Sequence, residues 1–154
     1  MLRRSSIALL AATLVALAGC GAKKNDLAPA ACLASSNGYL RALQDAPGPV
    51  RLAGTTPISD CLVPDQGAGQ LANIGLVMIP AATKLNAQAR AGSESAALQL
   101  GYLSGAVAKG ADPIHTDLAR RLTSAAQFHE TGSALPASFQ RAFARGYAAG
   151  QTSG

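Results

Sequence analysis

The sequence predicts an all-α fold: a small helical bundle of about four longer helices plus one short helix, with one disulfide. Alanine supplies 34 of the 154 residues, aromatic residues only 4% and Trp none, so much of the apolar content is the best helix former. Apolar residues also recur at three- and four-residue spacing, between proline, glycine and capping residues. Only 14% of the residues are charged, which argues against a disordered tail, a coiled-coil rod and a DNA-binding domain.

Proline punctuates the first third of the predicted domain. Asp26 is expected to cap a helix that begins near Pro29, and Pro47-Gly48-Pro49 is expected to end that helix. An extended link follows. Thr56-Pro57 is typical of a cap and first position of a short helix, which would carry Cys61. The apolar face of the first helix is expected to contain Leu33, Leu40 and Leu43.

The middle of the chain predicts two longer helices. Asp65 is expected to cap the first, and Pro80 is expected to kink or split it. Residues 74–79 would also fit a strand, but the apolar face continues across the proline and favours a helix. Gly92 is expected to end this helix, and Ser93 is expected to cap the next one. The two apolar faces contain Leu71, Ile74, Met78, Ala82, Leu85 and Ala89, then Leu100, Leu103 and Val107.

Two further helices complete the bundle. Asp112-Pro113 is the clearest start signal in the chain, and Gly132 is expected to close the helix that it begins. Pro136 opens the last helix. Brief loops make consecutive helices antiparallel neighbours, as in a bundle. The apolar faces contain Ile114, Leu118, Leu122 and Ala125, then Phe139, Phe143 and Tyr147.

A five-residue pattern, G-Y-x-x-G, occurs twice within predicted helices. Glycine costs about 1 kcal/mol relative to alanine inside a helix, so both copies need an explanation. One interpretation is a small ligand cleft lined by tyrosine. The other, which we favour, is tight packing of one helix on another. The residues concerned are Gly101, Tyr102 and Gly105, then Gly146, Tyr147 and Gly150.

The N-terminus has the features of a secretory signal. Arg3 and Arg4 precede an apolar run of 12 residues, Ile7 to Ala18. This run is too short to span a membrane, which takes about 20 apolar residues. Small residues then lead to Cys20.

The tetrapeptide Leu17-Ala18-Gly19-Cys20 resembles the bacterial lipobox. The resemblance implies that the Cys20 thiol receives a diacylglycerol and that the chain is cleaved just before it. Residues 1–19 would then be a signal peptide, 20–30 a lipidated tether and 31–150 the helical domain. The protein would lie on the extracytoplasmic face of the cell membrane, or on the outer membrane of a host with two. The composition is also loosely similar to that of small actinobacterial lipoproteins.

With Cys20 assigned to lipid, Cys32 and Cys61 remain as an even pair in an oxidising compartment. We expect a disulfide between them. The alternatives are a metal pair and a reactive thiol. A zinc site is unfavourable, because structural zinc takes four clustered ligands and neither histidine is near.

No catalytic template fits the sequence. His115 and His129 are 14 residues apart on one predicted helix, about 21 Å along its axis, so they cannot share a metal. A bond from His115 to Asp112 is a simpler role. The sequence contains no G-x-S-x-G, S-x-x-K or G-x-x-x-x-G-K-[ST] pattern. We therefore expect no catalytic residue, metal or cofactor.

The charge pattern bears on partners. Loss of residues 1–19 leaves eleven basic and eight acidic residues, a net charge of +3 with no dense basic run, and nucleic acid is not an expected partner. Lys23 and Lys24 either contact anionic lipid headgroups or belong to a solvated spacer. The last two helices carry arginines that form either a solvated face or a site for anionic wall polymer or lipid headgroups: Arg120, Arg121, Arg141 and Arg145.

The expected function is a non-catalytic binding or scaffolding role at the cell envelope, with membrane lipid, an envelope protein or anionic wall polymer as partners. The alternative is a small-ligand-binding module that uses the G-Y-x-x-G grooves. An envelope enzyme without a recognisable motif comes third.

Overall fold

A computed structural model describes residues 27–127 and 136–154. Within these ranges the chain forms five α-helices and no strand, so the predicted all-α fold with four longer helices and one short helix is confirmed. The helices are α1 (Ser36–Ala42), α2 (Ala68–Arg90), α3 (Glu94–Gly110), α4 (Thr116–Gln127) and α5 (Ala137–Ser153). Predictions for Cys20, Lys23, Lys24, Asp26, His129 and Gly132 concern residues outside the described ranges.

The first predicted helix is divided in two. Ala30–Leu33 forms a 3-10 turn, and α1 begins after Ser35, whose side chain accepts the Gly38 N–H at 3.2 Å. Because the turn interrupts the helical phase, Leu33 is 48% exposed and lies off the apolar face. The face that packs into the core is formed by Tyr39 and Leu43.

Residues 46–67 form an irregular segment that packs into the core. The predicted short helix at Thr56-Pro57 is a 3-10 turn, Ser59–Cys61, after Ile58. A single antiparallel bridge joins Leu52 to Thr56 and closes a tight loop. Leu52, Ile58 and Cys61 are buried, so this segment covers the helices instead of merely linking them.

Helix α2 is continuous through Pro80, so the predicted split does not occur. Pro80 is exposed, and the carbonyl that it leaves unpaired one turn earlier belongs to an exposed residue, Leu76, where water can satisfy it. Asp65 does not cap α2: Gly67 occupies the cap position without a side-chain bond. Most of the predicted apolar face is buried, namely Ile74, Met78, Ala82, Leu85 and Ala89.

Two predicted caps are present at the following helices. The Ser93 side chain accepts the Ala96 N–H at 3.2 Å, after Gly92 with φ +101°. The Asp112 side chain accepts the Ile114 N–H at 3.0 Å, but the first turn there is a 3-10 turn and α4 starts only at Thr116. That turn rotates Ile114 outward, so it is 44% exposed and not part of the apolar face.

Consecutive longer helices run in opposite directions, which gives the bundle two distinct ends. At the tether end, where α2 and α4 begin and α3 and α5 finish, Ala28 donates to Gln70 and Ser59 donates to Gly154. At the far end, where α2 and α4 finish, the Arg90 guanidinium donates to the Gln127 carbonyl. Helices α3 and α5 are therefore parallel neighbours.

Candidate functional site

The two G-Y-x-x-G patterns lie opposite each other where α3 contacts α5. A Cβ atom placed on Gly101 would lie 2.0 Å from the Phe143 carbonyl oxygen, and one on Gly105 would lie 2.1 Å from that of Tyr147. A Cβ on Gly146 would lie 1.9 Å from the Leu98 carbonyl oxygen. Each position therefore admits only glycine without a movement of the opposing backbone.

The contact is reciprocal, residue for residue. Gly150 faces the Tyr102 carbonyl oxygen just as Gly105 faces that of Tyr147, with 2.2 Å and 2.1 Å to a placed Cβ. Each glycine directs a Cα–H bond at a carbonyl of the other helix, the geometry of weak Cα–H···O=C contacts. The space between the glycines is occupied by the opposing backbone, so the groove is a helix contact and leaves no cleft for a ligand.

The two tyrosines of the motifs have different environments. Tyr102 is fully buried, and its hydroxyl accepts the Val50 N–H at 3.1 Å and lies 3.1 Å from Ser153 Oγ. It therefore joins the irregular segment to the end of α5. Tyr147 is only partly buried and stacks on Phe143, with ring centroids 6.3 Å apart. Of the two motif tyrosines, only Tyr102 is fully buried.

Beside Tyr147, a crevice of about 230 Å³ lies between α3, α4 and α5. The Ser104 and Thr123 hydroxyls in its wall donate to carbonyls of their own helices, at 3.0 Å and 2.9 Å. The crevice therefore suits a small apolar group. No sequence signal pointed to it, because its wall draws on three helices. The apolar lining includes Val107, Leu122, Ala126, Phe143 and Tyr147.

The predicted disulfide is present between Cys32 and Cys61, with 5.4 Å between the Cα atoms. Both half-cystines are fully buried. The Tyr39 hydroxyl donates to the Cys32 carbonyl at 2.8 Å and lies 3.7 Å from Cys61 Sγ. Burial raises the pKa of the Tyr39 hydroxyl well above its usual value of 10.0. The disulfide is a core element, packed under a tyrosine.

His115 is fully buried at the tether end and acts as a connector. Its Nδ1 accepts the Asp112 N–H at 3.0 Å and lies 2.8 Å from the Asp112 carboxylate, the neighbour that the sequence indicated. Its Nε2 donates to Gln66 Oε1 at 3.2 Å, and Gln66 Nε2 donates to the Cys61 carbonyl at 3.1 Å. This chain of bonds links the start of α4 to the disulfide segment. No sequence pattern indicated a role for Gln66.

Charged groups are dispersed over the surface. No three His, Cys, Asp or Glu side chains within residues 27–127 and 136–154 are grouped to hold a metal ion. Arg120 pairs with Asp117, and Arg121 lies 4.0 Å from the same carboxylate. Arg141 and Arg145 are exposed on α5, and no acidic partner is found for either in the part of the chain that the structure describes. Arg141 and Arg145 therefore add exposed positive charge to α5.

An open polar recess of about 580 Å³ lies between α1, α2 and the start of α3. Amide and hydroxyl groups line it, together with one cation, Lys84. Sequence patterns could not have found this recess, because its residues come from separate elements and none belongs to a motif. The polar lining includes Gln44, Gln88, Ser95 and Gln99.

No protein-family model matches the chain, and neither a curated protein nor a solved structure shows significant similarity to it. None of the helices in the described ranges combines the length and the apolar character needed to span a membrane.

Proposed function

We propose that the chain is a bacterial lipoprotein, anchored through a diacylglycerol on Cys20, whose helical domain has a non-catalytic binding or scaffolding role on the extracytoplasmic face of the membrane. The observation that carries the proposal is the buried Cys32–Cys61 disulfide. Disulfides form and persist in oxidising compartments, where the lipobox-like signal would deliver the domain. The remaining cysteine, Cys20, is the one in the lipobox.

The domain is suited to binding because its core is rigid and its recesses are on the surface. Helices α3 and α5 meet backbone to backbone, and the disulfide joins the N-terminal turns to the irregular segment. Rigid elements hold surface side chains in place, which lowers the entropy cost of binding. Arg141 and Arg145 favour an anionic partner such as a wall polymer, while the recess near Lys84 offers amides to an envelope protein.

The test of the anchor is incorporation of labelled fatty acid in a bacterial host. We expect the wild type to be labelled, and Cys20→Ala to remain an unlabelled, unprocessed precursor. The matched control is the double variant Cys32→Ser/Cys61→Ser, which replaces the two disulfide-bonded cysteines but keeps Cys20, and should be labelled. Label on Cys20→Ala, together with its recovery in the detergent phase, would contradict the anchor.

A ligand-binding module is the second candidate, and the crevice beside Tyr147 favours it. A small apolar group would fit between α3, α4 and α5 without disturbing the glycine contact. Titration with 1-anilinonaphthalene-8-sulfonate should give saturable fluorescence that Ala119→Phe removes by filling the crevice. Gly69→Ala, whose added Cβ meets open space, is the control. Equal binding by both variants would reject this site.

A further inference from the structure

An apolar patch surrounds the point where the chain enters the domain. It is a shallow depression of about 560 Å³ at the tether end, and we call it the tether-end patch. Leu27 is 79% exposed, more than any other large apolar side chain in the described ranges. Its position is fixed because the next residue, Ala28, is buried and donates its N–H to Gln70 Oε1 at 3.0 Å. The exposed or half-buried apolar residues of the patch are Leu27, Pro29, Val63 and Pro64, and the buried Leu62 lies at its base.

The number of residues between Cys20 and Leu27 limits how far the tether-end patch can lie from the membrane that holds Cys20. Leu27 follows Cys20 by seven residues, which span about 25 Å at most when fully extended. Helix α2, with 23 residues, is about 35 Å long and runs from the tether end towards the far end. If Cys20 lies at a membrane surface, the tether is too short to bring the far end down onto that surface. The tether end must stay close to it.

The charges near the patch do not oppose contact with lipid. Asp60 and Lys109 border the depression and balance each other. Lys23 and Lys24 in the tether favour anionic headgroups. An anchored domain also samples its own membrane at high effective concentration, so a small apolar patch suffices to select one orientation.

We infer that the tether-end patch rests on the lipid surface that holds Cys20, so that α2 to α5 stand away from the membrane with the far end outward. This inference rests on the proposed lipid anchor. The arginines of α5 and the polar recess near the far end would then face the space beyond the membrane.

The absence of Trp allows a direct test. Three variants of the full lipidated chain, Leu27→Trp, Leu76→Trp and Ala87→Trp, are reconstituted into vesicles with and without brominated lipid. Leu76 and Ala87 are exposed on α2, and Ala87 is near the far end. We expect at least about threefold stronger bromine quenching in Leu27→Trp than in Ala87→Trp, because α2 holds position 87 tens of ångströms away.

The outcomes separate the inference from the anchor. Flotation of the protein with vesicles tests the anchor, and its failure would overturn both proposals. Flotation with equal quenching in all three variants, or with strongest quenching in Leu76→Trp, would overturn the orientation alone. Blue-shifted but unquenched emission in Leu27→Trp would mean that protein, such as a second copy, covers the patch, and would also overturn it.

Discussion

Replacement of Gly105 by alanine tests the close contact between α3 and α5. The added Cβ would lie 2.1 Å from the Tyr147 carbonyl oxygen, which is backbone and cannot rotate away. To reach even a tight contact of 3.0 Å, the helices must separate by about 1 Å, and overpacking of this kind costs about 1–3 kcal/mol. Alanine returns about 1 kcal/mol of helix propensity.

We expect Gly105→Ala to lower the free energy of unfolding by about 2 kcal/mol. The overpacking cost should lie at the upper end of its range, because the obstacle is backbone and weak Cα–H···O contacts are also lost. The gain in helix propensity offsets part of this cost. For a domain of this size the melting temperature should fall by roughly 8 °C. Thermal unfolding followed by circular dichroism under non-reducing conditions measures it.

Gly69→Ala is the matched control, because this glycine is also helical and its added Cβ has no neighbour within 4 Å. It should leave the melting temperature unchanged or raise it by a few degrees. The double variant Gly105→Ala/Gly150→Ala should cost less than the two single changes together, since one separation of the helices relieves both contacts. An unchanged or higher midpoint for Gly105→Ala would refute the close-packing argument.

Two further predictions concern the disulfide region. The Cys32→Ser/Cys61→Ser variant opens a loop with a separation of 29 residues and should lose about 3–4 kcal/mol of stability in the chain-entropy model; chemical denaturation measures this, and a loss below 1 kcal/mol would contradict it. Because the pKa of Tyr39 is raised above 10.0 in the folded protein, unfolding in alkali releases the Tyr39 proton. The contribution of Tyr39 to the free energy of unfolding should therefore be constant below about pH 10 and decline above it. Tyr39→Phe should flatten that decline in denaturation series from pH 8 to 11, and an identical slope in both proteins would exclude this linkage.

Helix existence could be predicted from the sequence because its signals are local. Ser93 and Asp112 each cap the turn that follows them, and spacing alone identified the buried face of α2. Pro80 showed the limit of local rules, because its effect depends on whether the freed carbonyl reaches water. That depends on the tertiary position of the helix face.

The rotational phase of each helix start, and the pairing of residues and helices that are distant in sequence, were less predictable. Ile114 was expected in the core, but three residues of 3-10 turn changed the phase of the helix start. The bond between His115 and Gln66 joins residues 49 positions apart, and no periodicity indicates such a pair. The glycine motifs indicated a close contact, but pairing α3 with α5 as parallel helices requires the three-dimensional course of the chain.

The reciprocal glycine contact gives α3 and α5 a local pseudo-twofold relation. Gly146 follows Gly101 by 45 residues, and Gly150 follows Gly105 by the same interval. Self-matching surfaces of this kind are those that twofold dimers use. The α3 face of one molecule is therefore complementary to α5 of another. Within one chain the covalent link keeps the two helices at an effective concentration of order millimolar, which favours the internal pair. Partial unfolding that releases α5 removes this advantage, so α5 can be exchanged between two copies.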